Sequence, residues 1–227
     1  MQEHVIGEIV DIDEAGVLTI RAPVPDIARA IVRKYKTAEI ILPDGRRITP
    51  EQRRKCYALL GEITEYVDGV RTTEGVEEQK EFFKVEFMLR RMQAAERKMF
   101  SLSDCDMSTA REFITYLIDF IIKNDIPTRF PLIEQCEDIQ RYVYACLLNK
   151  KCAVCGKHAD LHHYGADKIG MGNNRQQVSH IGRQALPLCR EHHTEAHTMG
   201  DVAFAQKYHL EPIEIDKKIA KIYGLKK

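Results

Sequence analysis

Two stretches decide the fold of the C-terminal third of the chain: KCAVCGKHADLHHYG, residues 151–165, and LPLCREHHTEAH, residues 186–197. The first begins with a C-x-x-C knuckle, a tight turn that directs two thiolates at one ion. In the second, a cysteine and a histidine also stand three residues apart, so the two pairs together have the spacing of a tetrahedral zinc site. The predicted ligands of this structural zinc are Cys152, Cys155, Cys189 and His192.

A redox dithiol is the main alternative for a C-x-x-C pair. A redox motif needs neither the second pair nor the neighbouring histidines, and this favours zinc. The first residues, MQEHVIG, have neither the basic nor the apolar region of a signal peptide, so we expect a cytoplasmic protein whose thiols stay reduced. The seven cysteines are then expected to be buried thiols and metal ligands rather than a disulfide framework.

A second group of ligands is predicted on the helix, Cys189–His197, that should follow Pro187. His193 and His197 stand at i and i+4 and therefore lie within about 40° of each other around this helix. Alone, two such histidines would be interpreted as surface residues. The preceding hairpin adds His162, which can supply a third ligand, and His163, which can act as a general base. Strand neighbours point to opposite faces, so both can serve one site only if the strand ends or bulges there.

These residues resemble the HNH, or ββα-metal, nuclease family over about residues 150–200. The resemblance implies a β-hairpin and a helix that hold a divalent catalytic ion, beside a structural zinc held by two knuckles. It implies that His162, His193 and His197 bind the catalytic ion and that His163 activates water. The implied reaction is metal-assisted hydrolysis of a DNA phosphodiester that leaves 5′-phosphate and 3′-hydroxyl ends. The sequence leaves open whether the catalytic ion is Mg²⁺, Mn²⁺, Zn²⁺ or Ni²⁺.

The chain departs from the family pattern at one catalytic position. The family's middle asparagine falls on Gln184, which is expected to keep an orienting role through a longer side chain. The candidate DNA contacts near the metal are Arg175, Arg183 and Arg190. For Arg175 and Arg183, a solvated loop is an equally open interpretation. The remaining histidines of this segment are expected to have surface or structural roles: His158, His180 and His209.

The rest of the chain predicts an α+β fold with two domains, residues 1–149 and 150–227, divided at Asn149-Lys150-Lys151. β-prone segments at residues 5–10 and 17–21 flank a turn at 13–16, and a second hairpin is predicted at 39–48. Helices are predicted over about 25–35, 49–67, 74–92, 108–123 and 132–148, the second capped by Thr49 and the fourth by Ser108.

This order of hairpins, helices and a C-terminal HNH module resembles phage recombination proteins of the Orf (NinB-like) family, some of which carry an HNH domain. The resemblance implies a homodimer that binds single-stranded or branched DNA and cooperates with single-strand-binding protein. Residues 150–227 carry 13 Lys and Arg against 8 Asp and Glu, a modest positive charge that suits a polyanion. A mediator that binds DNA without cutting it, and a zinc-dependent protein-interaction domain, remain as alternatives to a nuclease.

Overall fold

A computed structural model describes residues 7–24, 26–34, 36, 40, 45–91, 99–165 and 179–225. The fold is α+β, as predicted. The strands are β1 (Glu8–Ile12), β2 (Leu18–Arg21), β3 (Asp160–His163), β4 (Gln184–Leu188) and β5 (Ile213–Glu214). The helices are α1 (Ile27–Arg33), α2 (Pro50–Asp68), α3 (Thr73–Arg91), α4 (Met107–Lys123), α5 (Leu132–Gln135), α6 (Ile139–Leu148), α7 (Arg190–Met199), α8 (Asp201–Tyr208) and α9 (Lys217–Ile222).

The N-terminal strands form the predicted antiparallel hairpin. Its turn is held by the Asp13 carboxylate, which accepts hydrogen bonds from the backbone N–H groups of Ala15 and Val17 at 2.9 and 2.8 Å. Every residue of β1 is exposed, and α1 contains no buried residue. The second predicted hairpin, residues 39–48, lies largely outside the described residues.

The helical layer begins at α2, where Thr49 is the N-cap and Pro50 occupies the first turn, as the sequence predicts. Gln52 additionally forms a capping box with Thr49. The predicted cap of α4, Ser108, is wrong by two residues. Asp106 occupies the cap position because its carboxylate accepts the Thr109 N–H at 2.8 Å, which satisfies a donor at the start of the helix.

The predicted continuous helix over 132–148 is also wrong, because the chain forms the short helix α5 and then α6. The backbone is extended at Cys136. Asp138 then starts a new helix by accepting the Arg141 N–H at 3.0 Å. An aspartate stabilises a helix more at the cap position than in the interior. The break therefore places Asp138 where an aspartate is most favourable.

Helix α6 joins the helical layer to the C-terminal sheet, since it packs on α4 at one side and on β4, β5 and α9 at the other. The Tyr142 hydroxyl, which is buried, donates to the carbonyl of Ala153 at 2.9 Å. Buried apolar residues from Ile48 to Ala220 form one hydrophobic cluster that extends across the predicted domain boundary. The division at 149/150 stays a prediction.

The C-terminal sheet has the order β3-β4-β5, with both pairs antiparallel. Its register places His162 opposite Leu186 and His163 opposite Ala185. Leu186 and Leu188 are fully buried, and α7 packs on β4 directly after the strand ends. The hairpin and α7 therefore lie side by side. Among the described residues, no helix has the length and apolar character needed to cross a membrane.

Candidate metal centres

The knuckle at the start of the sheet is a small closed turn. Lys151 and His158 pair as an antiparallel bridge, and Gly156 has a φ of 71°, a conformation that glycine adopts without strain. The backbone N–H of Ala153 donates to the Pro187 carbonyl at 3.0 Å and so ties the knuckle to β4. Cys189, which follows β4, is the N-cap residue of α7. The end of the hairpin thereby meets the knuckle.

The four predicted zinc ligands come together at this point. The ligand atoms of Cys152, Cys155, Cys189 and His192 lie within 4.8 Å of one another. The Cys155 and Cys189 sulfurs are 3.7 Å apart, and the Cys152 sulfur is 3.5 Å from Nδ1 of His192. In a tetrahedral zinc site, two sulfurs are about 3.8 Å apart and a sulfur and an imidazole nitrogen about 3.6 Å apart. The spacing therefore fits one zinc ion.

The protonation of these groups differs with their surroundings. Burial raises the pKa of the Cys152 thiol to about 12, so an ion is needed to hold it as a thiolate near neutral pH. Burial also tends to raise the pKa of Cys189. Hydrogen bonds from the backbone of His192 and from the neighbouring thiols outweigh this effect, so the pKa of Cys189 is lowered. Burial lowers the pKa of His192, which favours the neutral ring that ligates metal.

A separate cluster of three imidazoles lies on the hairpin and α7. His162, which is buried on β3, has its ring centroid 4.7 Å from that of His193 and 5.1 Å from that of His197. His193 and His197 stack on α7 with centroids 4.9 Å apart. One ligand atom from each ring lies within 4.8 Å of the others. The fold thus brings these three side chains together.

The cluster suits a divalent cation. Burial is the main cause that lowers the pKa of His193 to about 4, and the proximity of His162 and His197 adds to it. His193 is therefore neutral at physiological pH, which is the state that binds metal. His162 is buried whereas His197 is exposed, so the cluster has a closed side at the hairpin and an open side toward solvent.

His163 is not a member of this three-ring cluster. The register of β3 is regular, without a bulge, and the strand ends at His163. Its Nε2 lies 2.9 Å from Nδ1 of His180, a buried residue. Of the two conditions that would let His162 and His163 serve one site, the structure has the strand end and not the bulge.

The other predicted site residues that the structure describes belong to neither ligand cluster. Gln184 is exposed at the start of β4, and its carbonyl accepts the Tyr164 N–H at 2.9 Å. The Arg183 Nε donates to the Ser179 carbonyl at 3.0 Å. Arg190 is exposed at the first residue of α7. Arg175 lies outside the described residues.

Two residues beside the clusters contact site histidines, and the sequence did not predict these contacts. The Asp201 carboxylate, which is buried, lies 3.0 Å from Nε2 of His162. His180, expected to have a surface or structural role, is buried against His163. Asp201 follows Gly200, which ends α7, and no local spacing connects it to β3. The packing of α8 on α7 brings it to His162.

Comparison with known proteins shows which family the chain resembles. The family model HNHc_6, described as "Putative HNHc nuclease", matches residues 24–226, which include both metal-ligand clusters and the whole helical layer. No curated protein and no solved structure matches the chain. The resemblance to HNH nucleases is thus confirmed at the level of the family, and the match is longer than the 50 or so residues on which the resemblance rests. The chain belongs to this family of HNH nucleases.

Proposed function

We propose that the protein is a metal-dependent nuclease that hydrolyses phosphodiester bonds in DNA. The observation that carries the proposal is the three-histidine cluster. His162 is separated from His193 and His197 by about 30 residues of sequence, yet one nitrogen of each ring lies within 4.8 Å of the others. Membership in an HNH nuclease family supports this assignment.

His162, His193 and His197 would hold the catalytic ion. A divalent ion bound there supplies Lewis-acid stabilisation of the negative charge that develops on the phosphate. Three neutral imidazoles leave the charge of such an ion undiminished, in contrast to carboxylate ligands. Because His197 is exposed, the ring cluster opens to solvent on the side from which a phosphate would approach.

We assign His163 as the general base. Its imidazole would accept the proton of the attacking water, and the hydroxide would then attack phosphorus in line with the leaving 3′ oxygen. The 2.9 Å contact with His180 supports this role, because it would fix the orientation of the His163 ring. Gln184, predicted to orient the site, has its side chain on the same face of the hairpin as His162 by strand alternation.

We assign a structural zinc to Cys152, Cys155, Cys189 and His192. The reason is positional: Cys189 is the N-cap of α7 and His192 lies in its first turn, and His193 and His197 follow on the same helix. A zinc that fixes the start of this helix would also fix the two catalytic-ion ligands that follow. The zinc would thus contribute to catalysis without contacting the substrate.

A cleavage assay with matched variants tests the assignment. Purified protein is incubated with single-stranded, duplex and branched DNA in the presence of Mg²⁺, Mn²⁺, Zn²⁺ or Ni²⁺, and its metal content is measured on the same sample. We expect cleavage by the wild type, and its loss in His163→Ala and His193→Ala. His158→Ala is the control, because His158 is an exposed histidine outside both clusters. Cleavage that persists in His193→Ala would refute the site.

The substrate and partners are proposed on the resemblance to Orf-like recombination proteins alone. On that basis the protein acts in phage DNA recombination as a homodimer and binds single-stranded or branched DNA beside single-strand-binding protein. Arg183 and Arg190 flank β4 and are the described candidates for phosphate contacts. A wild type that binds single strands but cuts no substrate with any ion would favour the non-cutting mediator instead.

A further inference from the structure

The Asp201 carboxylate contacts one of the two ring nitrogens of His162, namely Nε2. We propose that Asp201 is a positioning residue that holds the His162 ring and selects Nδ1 as the nitrogen that binds the catalytic ion. This inference rests on the proposed function, since the choice of nitrogen matters only if His162 is a metal ligand.

The geometry of Asp201 uses both oxygens of a buried carboxylate. Oδ1 lies 3.0 Å from Nε2 of His162, and Oδ2 accepts the backbone N–H of Gly165 at 2.8 Å. The His162 and Asp201 side chains are 1% and 7% exposed, so water competes little for these hydrogen bonds. The carboxylate therefore links the start of α8 to β3 and to the turn that follows β3.

The chemistry of the pair fixes the position of the proton. An ionised carboxylate accepts hydrogen bonds and donates none, so Nε2 of His162 must carry the hydrogen in this contact. In a neutral imidazole the lone pair is then on Nδ1. A metal-binding histidine commonly donates its other N–H to a carboxylate, which orients the ring and increases its basicity as a ligand. The Gly165 N–H holds the carboxylate itself in place.

A purely structural role accounts less well for this arrangement. Asp201 is the first residue of α8, where an acid is favourable near the positive end of the helix dipole. An exposed side chain satisfies that preference, whereas burial of a carboxylate is costly unless specific donors satisfy it. Asp216 is the comparison within the same chain. It caps α9 through the N–H groups of Lys218 and Ile219 and is less buried than Asp201.

Metal affinity tests the inference directly. Zinc-loaded protein is titrated with Ni²⁺ in a calorimeter, and the loss of this binding in His193→Ala identifies the histidine site. In Asp201→Asn one oxygen becomes an NH₂ group, so the side chain loses its negative charge and can no longer accept from both His162 and Gly165. We expect Asp201→Asn to bind Ni²⁺ about 10- to 100-fold more weakly than the wild type. Asp216→Asn, the matched control, should bind Ni²⁺ with unchanged affinity. Zinc content and melting temperature are measured for each variant.

A second measurement needs no substitution of Asp201. Nitrogen-15 NMR of the zinc-loaded wild type, with His162 assigned by comparison with His162→Gln, reports which ring nitrogen carries the hydrogen. We expect the hydrogen on Nε2. A hydrogen on Nδ1, or Ni²⁺ affinity in Asp201→Asn within twofold of the wild type, would overturn the inference and leave the metal site intact. A wild type that binds no ion at the histidines would instead overturn the proposed function.

Discussion

Removal of one zinc ligand outside α7 should weaken the zinc site and destabilise the whole C-terminal segment. Cys155 lies on the knuckle, so Cys155→Ala leaves the sequence of the helix unchanged. A structural zinc with four ligands contributes about 10–16 kcal/mol of folding free energy. If the four ligands contribute equally, each accounts for about 3 kcal/mol. This corresponds to a loss of about 10²-fold in zinc affinity. For a chain of this length the melting temperature should fall by about 6–12 °C.

The assay is competition with a zinc chelator, followed by mass spectrometry of bound zinc and a thermal melt of the same sample. Cys146→Ala is the matched control, because Cys146 is a buried cysteine outside the zinc cluster. It should keep its zinc and lose about 1 kcal/mol from the small cavity that it creates. If Cys155→Ala retained one zinc per chain with wild-type resistance to the chelator, the assignment of the four ligands would be wrong.

Three further predictions concern protonation and packing. The ordinary pKa of the His193 imidazole is 6.5, and in the folded, metal-free protein the pKa is lowered to about 4. Between these pH values the unfolded state binds a proton at His193 and the folded state does not. Acidification through this window should therefore destabilise the wild type more than His193→Gln in urea titrations. Tyr142→Phe leaves the Ala153 carbonyl without this donor and should cost about 1–2 kcal/mol in the same assay, and an unchanged midpoint would contradict the contact. Phe83→Ala removes a fully buried ring and should lower the free energy of unfolding by about 3–5 kcal/mol. Phe82 is exposed, so Phe82→Ala should change the free energy of unfolding by less than about 0.5 kcal/mol.

The sequence predicted best what local spacing controls. The proposed zinc ligands are two pairs of residues three apart, and each pair is held by a tight turn or a single helical turn. The positions of His193 and His197 on one helix follow from helical periodicity in the same way. Their meeting with His162 was inferred by resemblance, because the sheet register that brings β3 against α7 depends on contacts distant in sequence.

Local rules also failed at identifiable places. The break before α6 was missed because the apolar pattern over 132–148 is continuous, although Asp138 is a strong cap residue. The contacts that Asp201 and His180 make with His162 and His163 were missed for a different reason. Each bonds a histidine 39 or 17 residues away in sequence, and such pairs have no periodic signature.

The N-terminal hairpin and α1 have a consequence for how the protein unfolds. Ile27, Ile31 and Val32 are 67%, 67% and 81% exposed, so α1 gains little from apolar burial in the described chain. A two-stranded ribbon is marginal in water without a third strand or a packed helix. Scanning calorimetry should accordingly resolve a small early endotherm from this segment, separate from the main transition, and limited proteolysis should trim residues 7–34 first.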